Sequence, residues 1–196
     1  MKNIILILEL MIAGSTGFSA EIKLPENPAD TLVISEKIIK VKHVTVIVHS
    51  TYGQFTKQLE GLIGRFDASV MVNVEKDPKL VVKQLEAMEG EQGLMLFGTQ
   101  EHGKLLNIAG APRKAIQYYI GNPIIASQMT RRDIRAGLYA PLRVLVFEAE
   151  DKQVHVEYDL PSTLFGQFGN NAVTKVGAAL DTKLLILIKK ADKKLK

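Results

Sequence analysis

Near its C-terminus the chain places Val173, Val176, Leu180, Leu184 and Leu187 at steps of 3, 4, 4 and 3 residues. That spacing sets all five side chains on one stripe of an α-helix, and it predicts a helix over about Asn171 to Lys190. A helix with a single apolar stripe must bury it against another layer. The rest of the chain supplies strands for that layer. Val44, Val46 and Val48 alternate with His43, Thr45, Ile47 and His49, which predicts a half-buried strand over Val41 to His49. Leu142 to Ala149 and Val154 to Tyr158 read as a hairpin around EDKQ, with Val154, Val156 and Tyr158 facing in and His155, Glu157 and Asp159 facing out.

Between these segments the signals are more local. Ser50 and Thr51 offer caps for a helix through about Phe66, carrying Phe55, Leu59 and Leu62. Ala68 to Val74 is apolar enough for a short strand. Asp77-Pro78 opens a second helix bearing Leu80, Val81, Leu85 and Met88. Leu94 to Phe97 and Leu105 to Ala109 flank GTQEHGK as a predicted hairpin, and Ala115 to Ile120 is a further strand. Asn122-Pro123 repeats the cap-then-proline signal for a helix through about Arg131. PSTLFGQFG, from Pro161 to Gly169, reads as a loop feeding the last helix. The order strand, helix, strands, helix is that of an α+β fold: an antiparallel sheet covered on one face by helices.

At 196 residues one domain is expected, placed over residues 41–191, with residues 192–196 as a lysine-rich tail. No cysteine is present, which excludes a disulfide framework, a thiol nucleophile and a zinc–thiolate site. The net charge of +4 comes from 25 basic and 21 acidic residues, and Lys189, Lys190, Lys193, Lys194 and Lys196 crowd one end. Such a tail suits the negative end of a helix dipole better than a nucleic-acid surface, which wants basic residues interleaved with aromatics. No nucleic-acid partner is expected.

Residues 1–20 have the form of an export leader: Lys2, an apolar run from Ile4 to Ile12, then small residues before Ser19 and Ala20. Glu9 departs from that form. The run is shorter than the about 20 apolar residues that span a bilayer, so no stable membrane span is expected. Residues 21–40 begin as a proline-containing polar linker. The reading is an exported, periplasmic or secreted protein; the competing one is a cytoplasmic protein with a buried N-terminal strand.

Chemical motifs are scarce. There is no G-x-x-x-x-G-K-[ST] or G-x-G-x-x-G phosphate loop and no G-x-S-x-G elbow. Ser162 reads as a turn or cap residue. His43 and His49 share a strand face but stand roughly 20 Å apart at strand rise, too far for one ion. His155 stands on a predicted outer face, and a metal site would need ligands brought together from distant parts of the chain. Neither a metal nor a cofactor is expected.

Several blocks together carry a resemblance. They are HGKLLNIAG (His102 to Gly110), GNP (Gly121 to Pro123), Met129-Thr130-Arg131, Asp133, AGLYAPLRVLVFE (Ala136 to Glu148), EYDLPSTLFGQFG (Glu157 to Gly169) and ALDTKL (Ala179 to Leu184). In this order they resemble the bacterial family called domain of unknown function 302, over about Val41 to Ala191. The resemblance implies a fold similar to a single copy of the TATA-binding-protein unit, and a homodimer. It does not imply DNA binding, since outward Glu157 and Asp159 would repel phosphate. Arg132 departs from the family's MTRHD run, which carries a histidine there.

Function is read as a dimeric small-ligand-binding module with its pocket between the sheet and the C-terminal helix, taking a small apolar or anionic ligand. The candidate ligand-binding residues are His102, Gly121, Asn122, Met129, Arg131, Arg143, Tyr158, Phe165 and Phe168. The helix start at Gly121-Asn122-Pro123, with Arg131, Arg132 and Arg135 nearby, offers polarised amides to an anion; its simpler role is a capped turn. One alternative is an enzyme of unrecognised type, with His102 as acid or base, Arg143 orienting an anion, and Asn122, Tyr158 and Asp159 as further polar groups. Another is a structural or partner-binding dimer that buries strand edges and the FGQFG segment.

Overall fold

The computed structural model describes residues 33–193. The expected leader at residues 1–20, residues 21–32 of the expected linker and the last three residues of the lysine tail lie outside them. Residues 33–42 carry no regular structure. The strands are β1 (His43–Val48), β2 (Gly64–Arg65), β3 (Met95–Gln100), β4 (Ala115–Gly121), β5 (Leu142–Glu148) and β6 (Val154–Asp159). The helices are α1 (Tyr52–Leu62), α2 (Pro78–Ala87), α3 (His102–Leu105), α4 (Pro123–Thr130), α5 (Pro161–Gly166) and α6 (Asn171–Ala191).

One sheet runs β1-β6-β5-β4-β3-β2. Every pairing is antiparallel except that of β2 with β3. The α+β architecture expected from the periodicities is therefore present, with one parallel pair added at the edge.

Alternation along the strands decides which face is buried. Val44 and Val144 flank Tyr158 in register, and Val46 and Val146 flank Val156. With Ile116, Tyr118 and Ile120 they form the inner face, onto which Phe55 and Leu59 of α1 and Leu180, Leu184 and Leu187 of α6 pack. His43, Thr45, Ile47 and Arg143 stand exposed on the opposite face. The stripe read from α6 is thus the seam that closes the core.

Local chemistry sets the helix ends. Thr51 and Gln54 make a reciprocal capping box at the start of α1. Asp77 accepts the Leu80 amide at 2.9 Å ahead of Pro78. Asn170 accepts the amides of Ala172 and Val173 and starts α6. At the far end of α6, Asp192 accepts the amides of His49 and Ser50 at 2.8 and 2.9 Å and bonds the His49 ring at 3.0 Å. The β1–α1 turn is thereby fastened to the C-terminus of the last helix.

Four segments depart from expectation. Ala68 to Val74 is not a strand: Ala68–Asn73 forms a 3-10 helix capped by Asp67, and none of its residues is buried. Its apolar residues lie on the surface, and the place beside β3 is taken by β2. Leu105 to Ala109 is not the return strand of a hairpin: α3 runs into a 3-10 turn at Leu106–Ala109, leaving Ile108 89% exposed. With no core to face, an apolar run this short keeps the turn geometry. α1 stops at Leu62 rather than Phe66 because the chain leaves to pair Gly64 with Met95. A Cβ at Gly64 would lie 1.7 Å from the Met88 carbonyl oxygen, so only glycine permits that crossing. PSTLFGQFG is not all loop: its first six residues are α5, with proline in the first turn.

Candidate functional site

The end of β4, α4, the entry to β5, α5 and α6 line a partly open cavity of about 100 Å³. Gly121 ends β4 at its wall, where a Cβ would meet Pro141 at 3.3 Å and the Phe97 ring at 3.4 Å. Phe97 occupies the irregularity where the β3–β4 register shifts between Leu96 and Gly98. Its ring also stacks on Phe66, with centroids 4.3 Å apart. Ile125, Ala126 and Met129 come from α4, Ala140 to Leu142 from the approach to β5, Phe165 from α5 and Leu180 from α6.

Asn122 is the single polar side chain in this lining, and it is 4% exposed. Its Oδ1 accepts the amides of Ile124 and Ile125 at 2.7 and 3.1 Å. Its Nδ2 donates to the Glu89 carboxylate at 2.6 Å and to the Gly93 carbonyl at 2.8 Å. Both donors and the acceptor are engaged, so Asn122 caps α4 and ties it to the segment before β3. No titratable side chain lines the cavity. Its chemistry is that of an apolar receptacle: dispersion and exclusion of water, with no proton donor or nucleophile presented.

Four of the nine residues read from sequence therefore meet: Gly121, Asn122, Met129 and Phe165. The others are dispersed. Tyr158 lies on the inner face of β6, 4% exposed, and burial followed by the nearby Asp181 charge pushes its hydroxyl pKa up. Arg143 is exposed on the outer face, in a depression with Tyr119 and Asp159. His102 lines another depression with Gln117, Phe147 and Glu157, by the opposite end of β4. Phe168 packs at 6.1 Å on Tyr139 beneath the Arg135 guanidinium, 5.1 Å from the ring centre. Arg131 is exposed at the C-cap of α4.

Hence the proposed polar set of His102, Asn122, Arg143 and Tyr158 does not converge on one cleft. Asp159 is committed elsewhere, bonding the His43 ring at 3.1 Å while Glu157 lies 3.3 Å from its other nitrogen. Arg135 makes a two-bond pair with Asp133 at 2.9 and 2.7 Å, which holds the Asp133 carboxyl below the usual range. Among the described residues no group of His, Cys, Asp and Glu side chains has the arrangement of a metal site.

Phe97 and Leu180 are cavity residues that sequence reasoning did not single out. Leu180 was legible as part of the apolar stripe, but nothing in its spacing distinguishes a cavity wall from filled core. Phe97 ends a predicted strand, and its turn toward the cavity follows from a register shift that has no local sequence marker.

A family model described as domain of unknown function DUF302 matches residues 70–191. β1 and α1 precede that span yet belong to the same sheet and core. The crystal structure of an uncharacterized conserved DUF302 protein from Bacillus stearothermophilus is similar, with a TM-score of 0.56 at 15% identity, covering 76% of this chain and 97% of that one. The likeness is one of fold. No curated protein matches the chain. Among the described residues no helix is long and apolar enough to cross a membrane.

Proposed function

The chain belongs to the DUF302 family, whose description names no activity, and from its site we propose that it is a small-ligand-binding module. The cavity between the sheet, α4 and α6 is the binding site. The observation that carries this reading is an apolar cavity whose one polar side chain is already fully hydrogen-bonded. Apolar cavities on the order of 150 Å³ stay dry and admit benzene or xenon. The cavity here, at about 100 Å³, suits a small apolar molecule or the apolar end of a longer one.

The test is NMR titration of the folded protein with benzene and toluene, with the Met129 methyl as reporter. Saturable shifts confined to the cavity lining are expected, and their loss in Ala126→Trp, which fills the space, with the circular dichroism spectrum unchanged. A wild-type protein that shows no saturable shift with either probe contradicts the reading.

Two further proposals accompany it. Two copies associate, supported by the family resemblance and by Ile134 and Leu138, which are 78% and 77% exposed, Leu138 in the depression that holds Tyr119 and Arg143; light scattering that finds only monomer at micromolar concentration rejects this. The chain is exported, supported by the leader-like composition of residues 1–20; an unprocessed N-terminus on protein recovered from cells, with none in the exported fraction, rejects that.

A further inference from the structure

An open groove of about 500 Å³ runs along α4 and α6 on the helical side of the molecule. Ile125, Val176 and Leu180 are among its apolar wall residues, and Arg132, Lys175 and Lys183 are its charged ones. Ile125 and Leu180 also line the cavity described above, so the two spaces share a wall. Lys175 and Lys183 are about 12 Å apart along α6, at 1.5 Å per residue.

The charge of this groove is unbalanced. Among the described residues none of the three cations forms an ion pair, whereas Lys190 of the same helix pairs with Glu91 at 2.6 Å. Lys183 donates to the Gln92 carbonyl at 2.6 Å, which engages one of its three protons. Arg132 donates from Nη1 to the Gln128 carbonyl. No acidic side chain lines the groove. Cations around an apolar floor, with an apolar cavity on the other side of Ile125 and Leu180, are complementary to a molecule with one anionic end and one apolar end.

We propose that the cavity and this groove form one site for a free single-chain carboxylate, its head among Arg132, Lys175 and Lys183 and its apolar end in the cavity. This rests on the binding-module reading and adds the chemical class of the ligand. The cavity supplies affinity for the chain, while the cations discriminate the charged head from a neutral one. Because Arg132 and Lys175 are exposed and Lys183 is half-buried, the discrimination is moderate and salt-dependent.

The experiment is calorimetric titration of the full chain with decanoate and, separately, with decanol, which has the same chain and no charge. At low salt decanoate is expected to bind roughly tenfold more tightly. That advantage is expected to shrink as salt is raised to about 0.5 M. Arg132→Gln, Lys175→Gln and Lys183→Gln should each weaken decanoate roughly two- to fivefold and leave decanol unchanged. The decanol measurement doubles as the control that each variant is folded with its cavity intact. Equal affinity for the two probes, or a decanoate preference that all three substitutions leave in place, overturns the assignment of the head while the cavity reading stands. Binding of neither probe overturns both.

Discussion

Asn122 shows how one side chain serves the site without belonging to its chemistry. It caps α4 with its oxygen and fastens the segment before β3 with its nitrogen. Losing a cap costs about 1 kcal/mol, and leaving the Glu89 carboxylate without its donor adds a comparable amount. Asn122→Ala is therefore expected to lower stability by about 2 kcal/mol in urea denaturation, and to weaken binding of apolar probes by loosening α4. His43 offers a pH signature on the opposite face. The Asp159 carboxylate, against the opposing effect of burial and with help from Glu157, holds its pKa above the ordinary 6.5. A pKa raised on folding contributes stability that is fully present below 6.5 and disappears as pH rises through the folded value. The stability difference between wild type and His43→Gln should thus be present at about pH 5.5 and absent by about pH 8.5. It should stay below about 1 kcal/mol because the pair is exposed. A difference that grows with pH would show the wrong sign.

At the scale of elements, periodicity was a good guide wherever an element faces the core. The seam of α6, the β5–β6 hairpin and the alternation of β1 were all readable, because buried faces impose their period on the sequence. So were the helix starts at Thr51, Asp77 and Asn122, whose capping chemistry is local. Segments that face solvent were misread. Ala68–Asn73 and Leu106–Ala109 are apolar by composition but make turns on the surface, and composition alone does not tell a run that will be buried from one that will not. Termination by a distant partner was equally illegible: α1 ends where Gly64 meets Met88, and nothing near Leu62 announces it. The clasp at the end of α6 is of the same long-range kind. Burial opposes the charge on Asp192, but the His49 ring and the amides of Ser50 and His49 outweigh it and hold its pKa down. Asp192→Ala is expected to cost about 2 kcal/mol, since hydrogen bonds to charged groups contribute about 1.5–3 kcal/mol. Hydrogen exchange should quicken first in the last turn of α6 and the β1–α1 turn. Unchanged exchange there would show that the clasp holds nothing.

For the whole molecule, the sheet separates two surfaces with different chemistry. The outer face carries paired charges and the exposed Arg143, while the helical side holds the apolar cavity. That separation explains why the candidate residues read from sequence divided as they did. Those near the Gly121–Pro123 turn and in α5 converge, while His102 and Arg143 project from the other side of the sheet. Spacing within a strand tells which residues share a face, but only topology brings the end of β4, α4, α5 and the middle of α6 to one point. The most direct measurement is a crystal structure determined under xenon pressure. The account requires xenon density between Met129, Phe165 and Leu180, with the surrounding main chain unmoved. Full occupancy of other apolar sites with none between these three residues would contradict it.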